Sequence, residues 1–248
     1  MHKKKRKVFL WILAISLWVA ILGLVIPVGP GLFPEDRLEQ NADGQNLRTI
    51  AIGRFEYCRK DGNYQMIEVE RLDEFAAKLA HHTGHNNARI YFSITDEQLQ
   101  AQIPDVILND INDVSTVNRQ FVELSSLSAW TIVVGIPQNA PLSTTPIGWS
   151  CGFHWINEYP DAEMSPHTYE GVLIAFADGH VTYYESLSED GVGVFVKYGT
   201  NERTGNLLEA LPPPYEHNGE TYPKLINPGD EIVPPKKSRW KRITSWFD

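Results

Sequence analysis

The chain is short of thiols. Cys58 and Cys151 are its two cysteines in 248 residues. They allow one disulfide at most, and their positions along the chain do not show that they meet. Basic residues are scarce through the body. The first seven residues hold five of the 22 Lys and Arg, and residues 236–248 hold five more, leaving 12 bases against 30 acids between them. So acidic a body is excluded as a nucleic-acid binder, because phosphate contacts need a basic surface. The acidity fits divalent cations or plain solubility. Catalytic signatures are missing too. No Gly-x-Ser-x-Gly elbow, HExxH helix, phosphate loop or Gly-x-Gly-x-x-Gly fingerprint occurs. With no nucleophile beside a base, the expectation is a protein without catalytic chemistry or cofactor.

Against these absences stands one long apolar run. Residues 8–28, VFLWILAISLWVAILGLVIPV, carry no charge. A bilayer core takes about 20 apolar residues in helical form. Lys3-Lys4-Lys5-Arg6-Lys7 precede the run, and basic flanks stay cytoplasmic. The run exceeds the core of a cleaved signal peptide, about 7–15 residues. Its exit, Ile26-Pro27-Val28-Gly29-Pro30, offers no small-x-small cleavage site. The expectation is a basic cytoplasmic stub at 1–7 and a retained transmembrane helix at 8–28. The protein would then be single-pass in the inner membrane, with the lipid bilayer as a partner and the rest of the chain outside.

Residues 29–45 read as a linker, with breaks at Gly29–Pro34 and Asn41–Gly44. In residues 46–60, Leu47, Ile50, Ala51, Phe55 and Cys58 recur at helical spacing. A second amphipathic helix is predicted over 71–81. Residues 89–94, RIYFSI, read as a short strand, and 129–136, AWTIVVGI, as a buried one. The clearest local signal is a hairpin: GVLIAFA at 171–177, Asp178-Gly179 as a two-residue turn, HVTYYE at 180–185. Beyond Leu211 prolines predict an extended surface run. The basic tail 236–248 puts Trp240, Ile243 and Phe247 on one helical face. It reads equally as a membrane-surface helix or as a disordered tail.

Several clusters invite a functional reading. His81, His82 and His85 could hold a metal, but no Cys or acid stands at ligand spacing, so a polar loop is the reading. Asp105, Asp110 and Asp113 could ligate calcium, yet lack EF-hand spacing. With Trp130, Trp149 and Trp155 they support an alternative, a calcium- or glycan-binding module. His167 and Asp178 suggest acid–base work, and with it an anchored hydrolase. Asp178 is explained by the turn alone.

Three stretches carry a resemblance. Residues 46–64, NLRTIAIGRFEYCRKDGNY, are similar to the helix end of bacterial type II secretion pseudopilins. His167 followed by FADGHV at 176–181 resembles the prepilin-type family named for His, nine residues, then Asp-Gly; here ten residues intervene. Residues 134–149, with NAP, TP and GW, look like members of that group. Lys7 runs directly into VFLWI, so the glycine and glutamate of the prepilin peptidase signal are missing. The resemblance implies an α+β fold: an N-terminal transmembrane helix, then a pilin-like domain with a small antiparallel β-sheet. It implies a periplasmic domain at 46–211, followed by a Pro-rich extension at 212–248. His167, Asp178 and Gly179 would be structural motif residues. The implied role is a membrane-anchored structural or interaction protein, partnered by secretion or pilus-like machinery.

Overall fold

The computed structural model describes residues 35–60, 65–95, 97–151, 171–189 and 192–227. The chain divides into Met1–Leu38 and Glu39–Asp248, and the architecture below is that of the second unit. Helix α1 spans Glu35–Cys58. Among the described residues no helix is long and apolar enough to cross a membrane. The expected architecture, a transmembrane helix ahead of a pilin-like domain with a small sheet, is therefore corrected. The longest helix among the described residues, α1, carries acids, Arg and Gln along its length, and the bilayer core tolerates few of these. The single-pass inner-membrane localisation built on that helix is corrected with it. Residues 8–28, on which the span was placed, lie outside the described residues.

Helix α1 runs straight through Asp43-Gly44, where the sequence suggests a break. Asp43 is fully buried and accepts from Ser93 Oγ (3.2 Å) and Ile94 N–H (3.4 Å). A Cβ on Gly44 would sit 3.6 Å from Leu173 Cδ2. The pair that looks like a helix stop is the place where helix and sheet approach. Leu47, Ile50, Ala51, Arg54 and Cys58 form the buried face. Phe55 sits outside it, with the Arg59 guanidinium 5.1 Å above its ring. Helix α2, Leu72–Thr83, buries Phe75, Ala76 and Leu79. It stops at Gly84, whose φ of 78° is left-handed and whose N–H bonds Ala80 O at 2.9 Å. Two short helices follow, α3 at Glu97–Gln100 and α4 at Arg119–Leu124. Asn118 caps α4 by accepting from Gln120 N–H at 2.9 Å.

The strands are β1 Trp130–Val134, β2 Pro146–Ser150, β3 Val172–Phe176 and β4 Val181–Tyr184. Short pairs follow: β5 Ser188–Glu189 with β6 Val192–Gly193, and β7 Phe195–Val196 with β8 Arg203–Thr204. Then come β9 Tyr215–His217, β10 Glu220–Tyr222 and β11 Lys224–Ile226. The main sheet is antiparallel, ordered β11-β1-β2-β3-β4. Strands β1, β2 and β3 are buried along their length, as runs of apolar residues covered on both faces should be. The proline-rich segment does not simply trail over the surface. It returns as the β9–β10 hairpin and then closes the sheet edge, pairing Ile226 with Ile132.

The predicted strand at 89–94 is instead a 3₁₀ turn at Ala88–Tyr91. Its carbonyls are taken by neighbours other than a strand. Trp130 Nε1–H donates to Ile90 O (2.8 Å), and Ser128 Oγ–H and Ala129 N–H donate to Tyr91 O (2.8 and 3.0 Å).

Candidate functional site

The Asp-Gly motif sits at the tip of the β3–β4 hairpin. Its turn has three residues, Ala177, Asp178 and Gly179, where two are predicted. Gly179 N–H bonds Phe176 O, and Phe176 N–H bonds His180 O, both at 2.9 Å. Gly179 has φ 91°. The third loop position calls for a left-handed residue, which Gly supplies without a Cβ clash. The tip is held from three sides. Ala177 N–H bonds Thr145 O (3.0 Å) and Asp178 N–H bonds Leu142 O (3.1 Å). On the third side lies α1: a Cβ on Gly179 would stand 3.2 Å from Ile52 Cγ1.

Asp178 finds its histidine locally. Its Oδ1 accepts His180 N–H at 3.1 Å and lies 2.5 Å from His180 Nδ1. The His180 ring stacks on Phe176, centroids 4.4 Å apart and nearly parallel. Both partners of the pair are partly exposed, and no nucleophile among the described residues touches them. The pair can orient the turn. His167, the other motif residue, lies outside the described residues. The sequence did contain the signal for His180, an Asp-x-His step across a turn, but the family spacing drew attention to His167 instead.

A second cluster was not anticipated, because its members lie about 150 positions apart. Glu68 Oε1 is 2.9 Å from His217 Nε2. Asn218 Nδ2 donates toward both Glu68 oxygens at 3.4 Å. Tyr215 O–H donates to Gly135 O at 2.6 Å, and Tyr222 O–H to Glu220 Oε2 at 3.0 Å. Lys224 Nζ lies between Glu220 and Glu70. The Lys224 hydrogen bond holds the Glu220 carboxyl below the usual range. Burial first, then the hydrogen bond to Glu220, pushes the Tyr222 phenol up. Every group here is spent on a neighbour, so the cluster latches the β9–β10 hairpin to the chain before α2.

The remaining candidates are structural in this arrangement. Among the described residues no group of three or more His, Cys, Asp and Glu is placed to hold a metal. His81 Nδ1 lies 2.9 Å from Ile111 O, and the His82 ring packs edge-on to Tyr57. Asp105 pairs with Arg89 at 3.3 Å. Asp110 accepts from Asn112 N–H at 2.9 Å, closing a turn. The hydrogen bonds from Ser115 pull the Asp113 carboxyl below its ordinary range. Trp130 and Trp149 are fully buried, so neither offers a face to a sugar. Trp155 lies outside the described residues. Arg54 is 4% exposed and its Nε finds no acceptor among the described residues. The void beside it, lined by Leu47, Phe75, Ile132 and Ala175, has no room for a water molecule, so no ligand fits there.

Cys58 and Cys151 form no disulfide. Burial pushes the Cys151 thiol up to about 12, against an ordinary 9.0; a hydrogen bond to Thr131 opposes the shift. A thiol so raised is protonated at neutral pH and is no nucleophile. The fold holds this proton more tightly than the unfolded chain does. Stability is therefore fully present below about 9 and is lost as pH rises toward about 12. Thermal melts across that range should show a falling midpoint. Cys151→Ala should flatten the fall, and an unchanged slope would clear the thiol of the effect.

Compared with family models, with curated proteins and with solved structures, the chain matches none.

Proposed function

We propose that this chain is a structural or interaction protein of the prepilin-type kind, serving a type II secretion or pilus-like assembly without chemistry of its own. One observation carries the reading. The Asp178-Gly179 motif is consumed in joining sheet to helix: its turn rests on Ile52 of α1 and on the carbonyls of Leu142 and Thr145. A motif spent in this way preserves a shape. The shape positions α1, whose residues Arg48, Glu56 and Arg59 are exposed along one stripe. Such a stripe is a surface on which a neighbouring subunit can pair.

The test is association. Full-length protein isolated from its own cells after cross-linking should bring down a secretion ATPase, a secretin or a pilin-like subunit. Glu56→Arg should reduce that recovery while leaving the melting midpoint near wild type, because Glu56 is exposed on α1. Recovery of none of these components, or recovery indifferent to Glu56→Arg, would count against the reading. The motif itself has a stability signature. Gly179→Ala places a Cβ against Ile52 at positive φ, so it should cost about 1–2 kcal/mol in denaturant melts. Gly179→Asn should do less harm through the backbone, since Asn tolerates the left-handed region.

A further inference from the structure

The sequence contains a single Asn-Gly step, Asn218-Gly219. It forms the tip of the β9–β10 hairpin, between the paired residues His217 and Glu220. Both residues are left-handed, φ 51° and 81°, as a primed two-residue turn demands. Both are exposed. A Cβ built on Gly219 would meet nothing within 4 Å, so the tip of the turn is uncrowded. We propose that Asn218 is a self-modification site: it deamidates through a cyclic imide with Gly219, and the product releases residue 218 from Glu68 and so loosens the β9–β10 hairpin.

The chemistry needs water and nothing else. Hydroxide takes the proton from Gly219 N. That nitrogen attacks Asn218 Cγ, the N–Cγ bond forms, the Cγ–Nδ2 bond breaks, and Nδ2 departs as ammonia. Water then opens the ring at either carbonyl, leaving aspartate or isoaspartate. One water is consumed, one ammonia is released, and nothing is oxidised or reduced. The consequence follows from what Asn218 touches. Its Nδ2 donates toward both oxygens of Glu68. Deamidation replaces that donor with a carboxylate facing a carboxylate. Like charges this close repel, and Glu70 and Glu220 add to the negative field around them, with Lys224 as the nearby cation. In isoaspartate the extra backbone methylene also breaks the turn geometry. The hairpin then keeps its Tyr215 bond to Gly135 O and the His217 contact with Glu68 but loses the tie through Asn218.

The full chain, held folded in mildly alkaline buffer, is sampled over time and digested with trypsin. The peptide 204–224 should gain an acid at Asn218 in both aspartate and isoaspartate forms, while Asn206, whose side chain caps Leu208 N–H, keeps its amide. A short free peptide of the hairpin sequence sets the unprotected rate. If that peptide converts while the folded chain retains its Asn218 amide, the proposed site is refuted. Asn218→Gly keeps the positive φ, lacks the amide and should show no conversion at that position. Release is read separately. Asn218→Asp should lose hydrogen-exchange protection several-fold across 215–222 while β1 to β4 keep theirs. Unchanged protection in that variant overturns the release.

Discussion

Trp130→Ala is expected to be the most damaging substitution in the described body. The side chain is fully buried in β1. Its Nε1–H donates to Ile90 O at 2.8 Å, which fastens the 3₁₀ turn to the sheet. Removing the indole leaves a large cavity in a core that collapses only partly. Such changes cost about 3–5 kcal/mol. The Ile90 carbonyl also loses its donor, a further cost of about 1–3 kcal/mol if it stays dry. Domains of this size have about 5–15 kcal/mol in total, so the variant should unfold at or near room temperature. Trp130→Phe separates the two terms. It keeps most of the apolar volume and loses the hydrogen bond, and should retain a cooperative melt at a lower midpoint. Equal losses in the two variants would assign the whole effect to the hydrogen bond.

Gly135→Ala comes next. Gly135 follows β1 with φ 72°. A Cβ there would lie 2.1 Å from Tyr222 Cδ1 and 2.9 Å from Tyr222 Cβ. The near end of a buried side chain cannot swing aside, so the backbone of β10 must move. Strand β11, paired with β1 through Val134 and Lys224, moves with it. Backbone strain at positive φ and displacement of a buried aromatic together amount to about 3–5 kcal/mol. The double variant Gly135→Ala/Tyr222→Ala tests the cause. With the ring gone only the 2.9 Å approach to the residue 222 Cβ is left, so the combined loss should fall short of the two single losses added. Additive losses would place the damage in the backbone alone.

Local signals were readable where they depend on local physics. Strands β1, β3 and β4 fall within the spans that β-branched and apolar runs predict, because covered strands need such residues whatever they pair with. Helix α2 covers Leu72–Thr83 where the amphipathic period predicts 71–81, running two residues further to the left-handed Gly84. Where reading failed, a distant group had intervened. Asp43-Gly44 looks like a break, yet Ser93 and Ile94 satisfy the carboxylate and Leu173 fills the space beside the glycine. Residues 89–94 have strand composition, yet Trp130 and Ser128 claim their carbonyls. Phe55 keeps the helical period, yet Arg54 takes the buried position. The motif pair His167–Asp178 directs attention along the chain, while Asp178 pairs with His180 two residues away. The Glu68–His217–Asn218 latch has no sequence signal, because nothing local links residue 68 to residue 217.

By itself the amino-acid order determined the acidic balance, the want of recurring catalytic signatures, the spacing that makes α2 amphipathic and the glycine that turns β3 into β4. Tertiary structure alone decided that β11 closes the sheet against β1, that α1 continues through Asp43-Gly44, and that Glu68 holds the far hairpin. The reason is that side-chain period and turn chemistry act over a few residues, whereas backbone donors and acceptors are alike along the whole chain. Which of them pair is settled only when buried surfaces bring distant segments together.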